Sequence, residues 1–81
     1  MMISSMGDRV LQKLGQNIRR ERLACGLSQE ELAARAGMHR TYVGAVERGE
    51  RNISVVSLLR LATALEVQVV NLTRNIDQGR S

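Results

Sequence analysis

Residues 28–37 limit the possible folds of this chain more than any other segment. The letters SQEE at 28–31 have the spacing of a capping box, in which the Ser28 oxygen accepts a hydrogen bond at the start of a helix and Glu31 reaches back. Gly37 follows about two turns later and can take the positive φ angle of a sharp helix exit. Because a three-residue turn and a second segment with helical apolar spacing come next, the sequence predicts two short helices joined tightly.

The side chains of these two predicted helices suit a steep crossing. Helices joined by so tight a turn cross at about 90–120°, so the crossing point tolerates only a small side chain, which Ala33 supplies. The positions that bury the shared inner face are apolar: Leu32, Met38, Val43 and Val46. The first turn of the later helix, from Arg40, is therefore expected to project outward.

The rest of the chain also favours helices, and we predict a single all-α domain. Apolar residues recur at spacings of three and four, proline is absent, and Tyr42 is the only aromatic residue among 81. Five helices are predicted, at about 8–25, 28–36, 40–48, 54–65 and 69–76. Residues 1–7 are predicted to be a flexible extension, 8–76 the folded domain, and 77–81 a frayed tail.

Apolar stripes define the inner faces of two further predicted helices. In the first helix the stripe consists of Leu11, Leu14, Ile18 and Cys25. In the fourth it consists of Val55, Leu58, Leu61, Ala62 and Leu65. Arg22 interrupts the first stripe, because it follows Ile18 by four residues. The Arg22 guanidinium must either pair with a buried acidic side chain or reach solvent by extending its aliphatic chain along the apolar surface.

The fourth and fifth helices carry more apolar residues than one face of so small a core can absorb. The surplus suggests an interface between subunits. The residues assigned to this interface are Val56, Leu59, Val69, Leu72 and Ile76.

Charge favours a polyanionic partner. The net charge is +4, and Arg supplies eleven of the twelve basic residues. Arg has a fixed fork of donors that suits phosphates and base edges. A basic face that is merely solvated is the competing interpretation. With no apolar run of about 18 residues and no secretory signal at the start, we expect a cytoplasmic protein without a membrane partner.

The same sequence argues against an enzyme. One Cys and one His offer no structural zinc set, and no glycine-rich phosphate loop is present. Cys25 and His39 are the only obvious ingredients of nucleophilic catalysis, but Cys25 is expected on the buried stripe, where a thiol usually serves packing. We therefore expect no metal, no cofactor and no small-molecule substrate.

The segments GLSQEELA, HRTYVGAVERGERN and SVVSLLRLATALEV carry a family resemblance. Residues 28–52 resemble the helix-turn-helix of the phage-repressor-type (XRE) family of transcription regulators, and the similarity extends over about 14–73. The three segments look most similar to controller proteins of restriction–modification systems. The resemblance implies a five-helix bundle whose second and third helices form the helix-turn-helix, in a small dimeric regulator that binds operators near its own promoter.

The resemblance also implies a partner for Arg22. Relatives pair an arginine at this place with a glutamate near the end of the third helix, which here is Glu47. The spacing agrees, because Glu47 follows Val43 by four residues and borders the inward face. The sequence departs from relatives at Glu21, often leucine, and at Gln68, where the fifth helix often begins with a capping serine.

The third predicted helix carries the residues expected to read bases. Arg40 could donate two hydrogen bonds to guanine O6 and N7, and Thr41 offers a methyl group and a hydroxyl. Relatives imply that Tyr42 packs over the DNA backbone, and Ala45 could touch a thymine methyl. The residues expected at phosphates are Ser28, Gln29, Arg35, His39, Arg48, Arg51 and Asn52. For Ser28 a capping role competes with phosphate binding.

The sequence thus predicts a homodimer that places its third helices in adjacent major grooves of an inverted-repeat operator. RNA polymerase is a candidate partner of such a regulator. An antitoxin-like module that masks another protein, a phage-type repressor and a general regulator are the alternatives, and the fold alone does not separate them.

Overall fold

Five helices make up the regular structure of residues 2–77, the part of the chain that our computed structural model describes, with side chains from residue 7 onward. They are α1 (Met2–Ala24), α2 (Gln29–Ala36), α3 (Arg40–Glu47), α4 (Val55–Leu65) and α5 (Val69–Leu72). The predicted all-α class is confirmed. None of the helices in this described part combines the length and the apolarity needed to cross a membrane.

The outer helix boundaries differ from the predicted ones. Helix α1 begins at Met2 and not near residue 8, so residues 2–7 of the predicted N-terminal extension are helical. Extending an existing helix needs no apolar pattern, because the free-energy cost of nucleation is not incurred again. This segment also contains no proline that would interrupt the helix. Helix α5 ends at Leu72 and not near residue 76. Of the predicted tail, residues 78–81 lie outside the described residues.

Asn17 accounts for the early end of α5. Its fully buried side-chain nitrogen donates to the carbonyl oxygens of Leu72, at 2.9 Å, and Arg74, at 2.8 Å. Its amide oxygen accepts from Arg20 at 2.9 Å, so both ends of this buried amide are satisfied. The Leu72 and Arg74 carbonyls therefore bind α1, and the chain turns through a left-handed residue at Asn75, with φ 64°.

The core lies between α1 and the four shorter helices. Its buried apolar residues are Leu14, Ile18, Leu27, Leu32, Ala33, Ala36, Val43, Val46, Leu61, Ala62, Leu65 and Leu72. Most of the predicted inner positions lie in this set or pack against it. Two predictions were wrong, since Cys25 is exposed and Val55 is 73% exposed. Cys25 follows the end of α1, and Val55 opens α4, where a helical side chain leans past the helix end.

Candidate nucleic-acid interface

The turn between α2 and α3 has the geometry that the sequence predicts. The Ser28 hydroxyl oxygen accepts from Glu31 N at 3.0 Å, and Ser28 N donates to the Glu31 carboxylate at 2.8 Å. These bonds complete the capping box and lower the pKa of Glu31. Gly37 ends α2 at φ 70° and ψ 38°, and Met38 N then donates to Ala33 O at 2.9 Å. Only three residues, 37–39, therefore separate the end of α2 from the start of α3.

Helix α3 separates a buried face from an exposed one. Its buried residues are Val43, Gly44, Val46 and Glu47. Arg40 and Thr41 are exposed on the first turn, whereas Tyr42 and Ala45 are half-buried. The side chains with the chemistry to read base edges thus stand outside the monomer on the first turn, while the following turn of the helix is fixed in the core.

The ion pair between Arg22 and Glu47 fixes the end of α3. Arg22 Nε donates to Glu47 Oε2 at 2.7 Å, and Nη2 donates to Oε1 at 3.0 Å. The two side chains are only 9% and 3% exposed. A third donor group, Arg22 Nη1, bonds to Leu27 O at 2.8 Å. Hydrogen bonding to Glu47 raises the pKa of Arg22, so the guanidinium stays charged in its buried position.

Tyr42 joins α3 to the loop that follows it, a contact that sequence reasoning missed. The Arg51 guanidinium lies over the Tyr42 ring, with Cζ 5.3 Å from the ring centroid. Such stacking is favourable because the ring face carries negative charge density. The ring also packs against the core. Arg51 is thereby held beside α3.

The other residues assigned to phosphates lie in three places. Ser28 and Gln29 are at the start of α2, and His39 immediately precedes α3. Arg48 and Asn52 flank the loop after α3. Arg48 pairs there with Glu50 through Nε and Oε2 at 3.0 Å, and Asn52 Oδ1 accepts from the next backbone N–H.

Arg35 is placed apart from this group. It lines a groove between α2 and α4 together with Val56, Leu59 and Arg60. The groove thus associates Arg35 with the apolar surface of α4, and its phosphate role stays a prediction.

The predicted subunit interface is corrected at one position. Val56 is 64% and Leu59 is 48% exposed, so both can be covered by a partner. Val69 and Ile76 are half-buried against the core. Leu72, however, is fully buried within the monomer, because the short α5 packs it inward where its carbonyl bonds to Asn17. It belongs to the core and not to the interface.

A short capped helix, a tight glycine turn and a second helix with an exposed polar first turn define a helix-turn-helix protein. Residues 18–72 match the helix-turn-helix family HTH_3, and the chain belongs to this family of DNA-binding transcription regulators. The predicted family resemblance is confirmed.

Restriction–modification control proteins are among the most similar relatives. Control protein C.SmaI of Serratia marcescens is 49% identical over 59 residues, covering 73% of this chain and 70% of that protein. Control protein C.BamHI of Bacillus amyloliquefaciens is 42% identical over 59 residues, covering 72% and 73%. The crystal structure of the restriction-modification controller protein C.AhdI from Aeromonas hydrophila has a TM-score of 0.75 and 55% identity, covering 76% of this chain and 94% of that one.

Proposed function

We propose that the protein is a homodimeric regulator of the restriction–modification controller type, which binds an inverted-repeat operator through α3. The observation that carries this proposal is the pair of exposed side chains at the first turn of α3, Arg40 and Thr41, on a helix fixed beneath by a buried ion pair. A rigid recognition helix of this kind fits the major groove of B-DNA. As a DNA-binding protein it is expected to act in the cytoplasm, and no catalytic step is part of its role.

Base reading is assigned to the outer face of α3. Arg40 donates two hydrogen bonds to a guanine, Thr41 contacts a thymine methyl or a phosphate, and Ala45 lies one turn further along. Tyr42 contacts the sugar–phosphate backbone beside Arg51, which it stacks against. Phosphates are bound by the exposed or half-buried polar residues around this helix: Ser28, Gln29, His39, Arg48, Arg51 and Asn52. Arg35, on the side of α2 that faces α4, is assigned to a phosphate farther along the backbone.

Replacement of Arg40 by alanine is expected to weaken operator binding by about 1–3 kcal/mol and to relax preference at one base per half-site. Arg51→Ala is the matched control, since it removes a backbone contact, weakens binding to all sequences alike and lowers the salt slope. Selection of bound fragments from a random DNA pool, followed by titration at several salt concentrations, measures both effects. Unchanged discrimination in the Arg40 variant would refute its assignment.

The dimer is proposed to form through α4. Three apolar residues of this helix are exposed, Val55, Val56 and Leu59. Leu59 follows the two valines by four and three residues, so all three lie on one side of the helix. Covering them with a second copy would remove apolar surface from water. Twofold symmetry then predicts half-sites centred about 10 base pairs apart, one helical turn of DNA.

Leu59→Glu is expected to raise the dimer dissociation constant at least about tenfold, because an apolar contact is lost and a carboxylate is desolvated where the second copy would cover it. Leu23→Glu is the matched control: Leu23 is 55% exposed on α1, against 48% for Leu59. Sedimentation equilibrium of both variants measures the effect. If the dimer dissociation constant of Leu59→Glu equals that of Leu23→Glu, the dimer must form through another surface.

An antitoxin-like interaction module is the second candidate, favoured by the groove in which Arg35 and Arg60 flank Val56 and Leu59. Steep loss of duplex binding with added salt, together with preference for one sequence, supports the regulator. Co-purification of a different protein chain in place of a homodimer supports the antitoxin-like module, which would mask that protein. RNA polymerase remains a candidate partner for an activator, and a phage-type repressor shares the same DNA-binding surface.

A further inference from the structure

Gln29 connects the first turn of α2 to the last residue of α3. Its side-chain nitrogen Nε2 donates to Glu47 Oε1 at 3.0 Å, so the carboxylate that receives Arg22 also receives this amide. Glu47 thus takes hydrogen bonds from side chains of α1 and of α2 while it belongs to α3. The position of α3 relative to α2 depends on the Gln29 amide as well as on apolar packing.

Gly44 provides the space that this amide occupies. A Cβ added to Gly44 would lie 3.3 Å from Gln29 Oε1 and 3.2 Å from Arg48 Nη1, which is closer than such contacts ordinarily come. Its φ angle is not in the left-handed region, so the backbone conformation does not call for glycine. Glycine in a helix interior is less favourable than alanine. The room that it leaves for Gln29 gives a physical reason for a glycine within so short a helix.

We propose that Gln29 and Gly44 form a positioning pair that sets the rotation of α3 against α2 and thereby the discrimination of the protein among DNA sequences. This inference rests on the proposed function, since it assumes that α3 reads bases. Gly44 follows Arg40 by four residues, so the two lie on adjacent turns of the same side of α3. A small rotation of the helix at Gly44 therefore moves the Arg40 guanidinium, and two hydrogen bonds to one guanine tolerate little displacement.

The Gln29 amide can also transmit contact with DNA. Its nitrogen carries two hydrogens, of which the bond to Glu47 uses one. The other is available to a phosphate at the start of α2, where the positive end of the helix favours an anion. One side chain would then link the DNA backbone to the buried carboxylate that holds the recognition helix.

Two substitutions and their combination test the pair in the full chain. Gln29→Met keeps the length of the side chain and removes both polar groups. Gly44→Ala leaves Gln29 intact and pushes its amide away from Glu47. In each variant the ratio of operator affinity to random-duplex affinity is expected to fall about tenfold, the effect of one hydrogen bond to a charged group. Gly44→Ala should leave random-duplex affinity and salt slope unchanged, whereas Gln29→Met also loses its phosphate contact and should weaken binding to every duplex in addition.

The double variant is expected to discriminate about as well as either single variant, because both changes break the same contact. Gly7→Ala and Gln16→Met are matched controls on the exposed face of α1. Within the described residues, no heavy atom beyond its two chain neighbours and the adjacent helix backbone lies within 4 Å of a Cβ placed on Gly7. Both controls should keep the wild-type affinity ratio, and a cooperative thermal transition in every variant shows that it is folded.

Several outcomes overturn the inference. Equal weakening on operator and random DNA by Gln29→Met, with Gly44→Ala at the wild-type ratio, would make Gln29 a simple phosphate contact. Full additivity of the two changes would show that they act separately. If the wild type prefers no sequence, the proposed function fails. Nuclear magnetic resonance of the free protein can still test whether the Gln29 amide is in contact with Gly44 and Glu47. The Gln29 side-chain amide should exchange slowly with solvent and shift in Gly44→Ala; an amide that does not respond refutes the contact.

Discussion

Replacement of Glu47 by alanine is expected to destabilise the protein by about 3–5 kcal/mol, because it leaves the Arg22 guanidinium buried without its anion. Arg22 is only 7% exposed, and two of its nitrogen atoms donate to the Glu47 carboxylate. Gln29 loses its acceptor in the same variant. A domain of this size has a free energy of unfolding of about 5–10 kcal/mol, so much of its stability would be lost. Urea unfolding at neutral pH, followed by circular dichroism, measures the change.

The pair Arg48 and Glu50 provides the control for this experiment. It has the same chemistry, with an N–O distance of 3.0 Å, but its side chains are 60% and 58% exposed. Solvent screens such a pair, so Glu50→Ala is expected to leave the free energy of unfolding nearly unchanged. Removing both buried charges in Arg22→Met with Glu47→Leu should recover much of the stability lost in Glu47→Ala. A Glu47→Ala variant within a few tenths of a kcal/mol of the wild type would show that the ion pair is not structural.

The parts of the fold that depend on neighbouring residues could be predicted from the sequence. The capping box at Ser28 and the left-handed turn at Gly37 are set by side chains within a few residues of the backbone groups that they satisfy. A partner for Arg22 was foreseeable because a charge on an apolar stripe must be neutralised or reach solvent. The exposure of Arg40 was foreseeable from its place in the first turn of α3, ahead of the apolar positions that anchor the helix.

Features that depend on distant contacts could not be predicted in this way. Asn17 ends α5 by donating hydrogen bonds to the carbonyl oxygens of Leu72 and Arg74, which lie 55 and 57 residues away in the sequence. The residues around Asn17 do not indicate this role. The same short α5 turns Leu72 into the core. Stacking of Arg51 on Tyr42 depends on how the loop returns towards α3. In the candidate site, sequence reasoning found Gln29 as a polar residue at a helix start but missed its bond to Glu47.

Gly15→Ala is expected to destabilise the protein by about 3 kcal/mol, although alanine favours helices more than glycine does. A Cβ on Gly15 would collide with the backbone carbonyl oxygens of Val46 and Glu47, so α1 and α3 meet there backbone against backbone. Backbone atoms cannot rotate aside, and the helices must move apart beside the carboxylate that receives Arg22. Gly7→Ala on the same helix meets open space and should stabilise by up to about 1 kcal/mol. Paired urea titrations therefore distinguish the two effects by sign, and a Gly15→Ala protein as stable as Gly7→Ala would mean that α1 does not touch the recognition helix at this point.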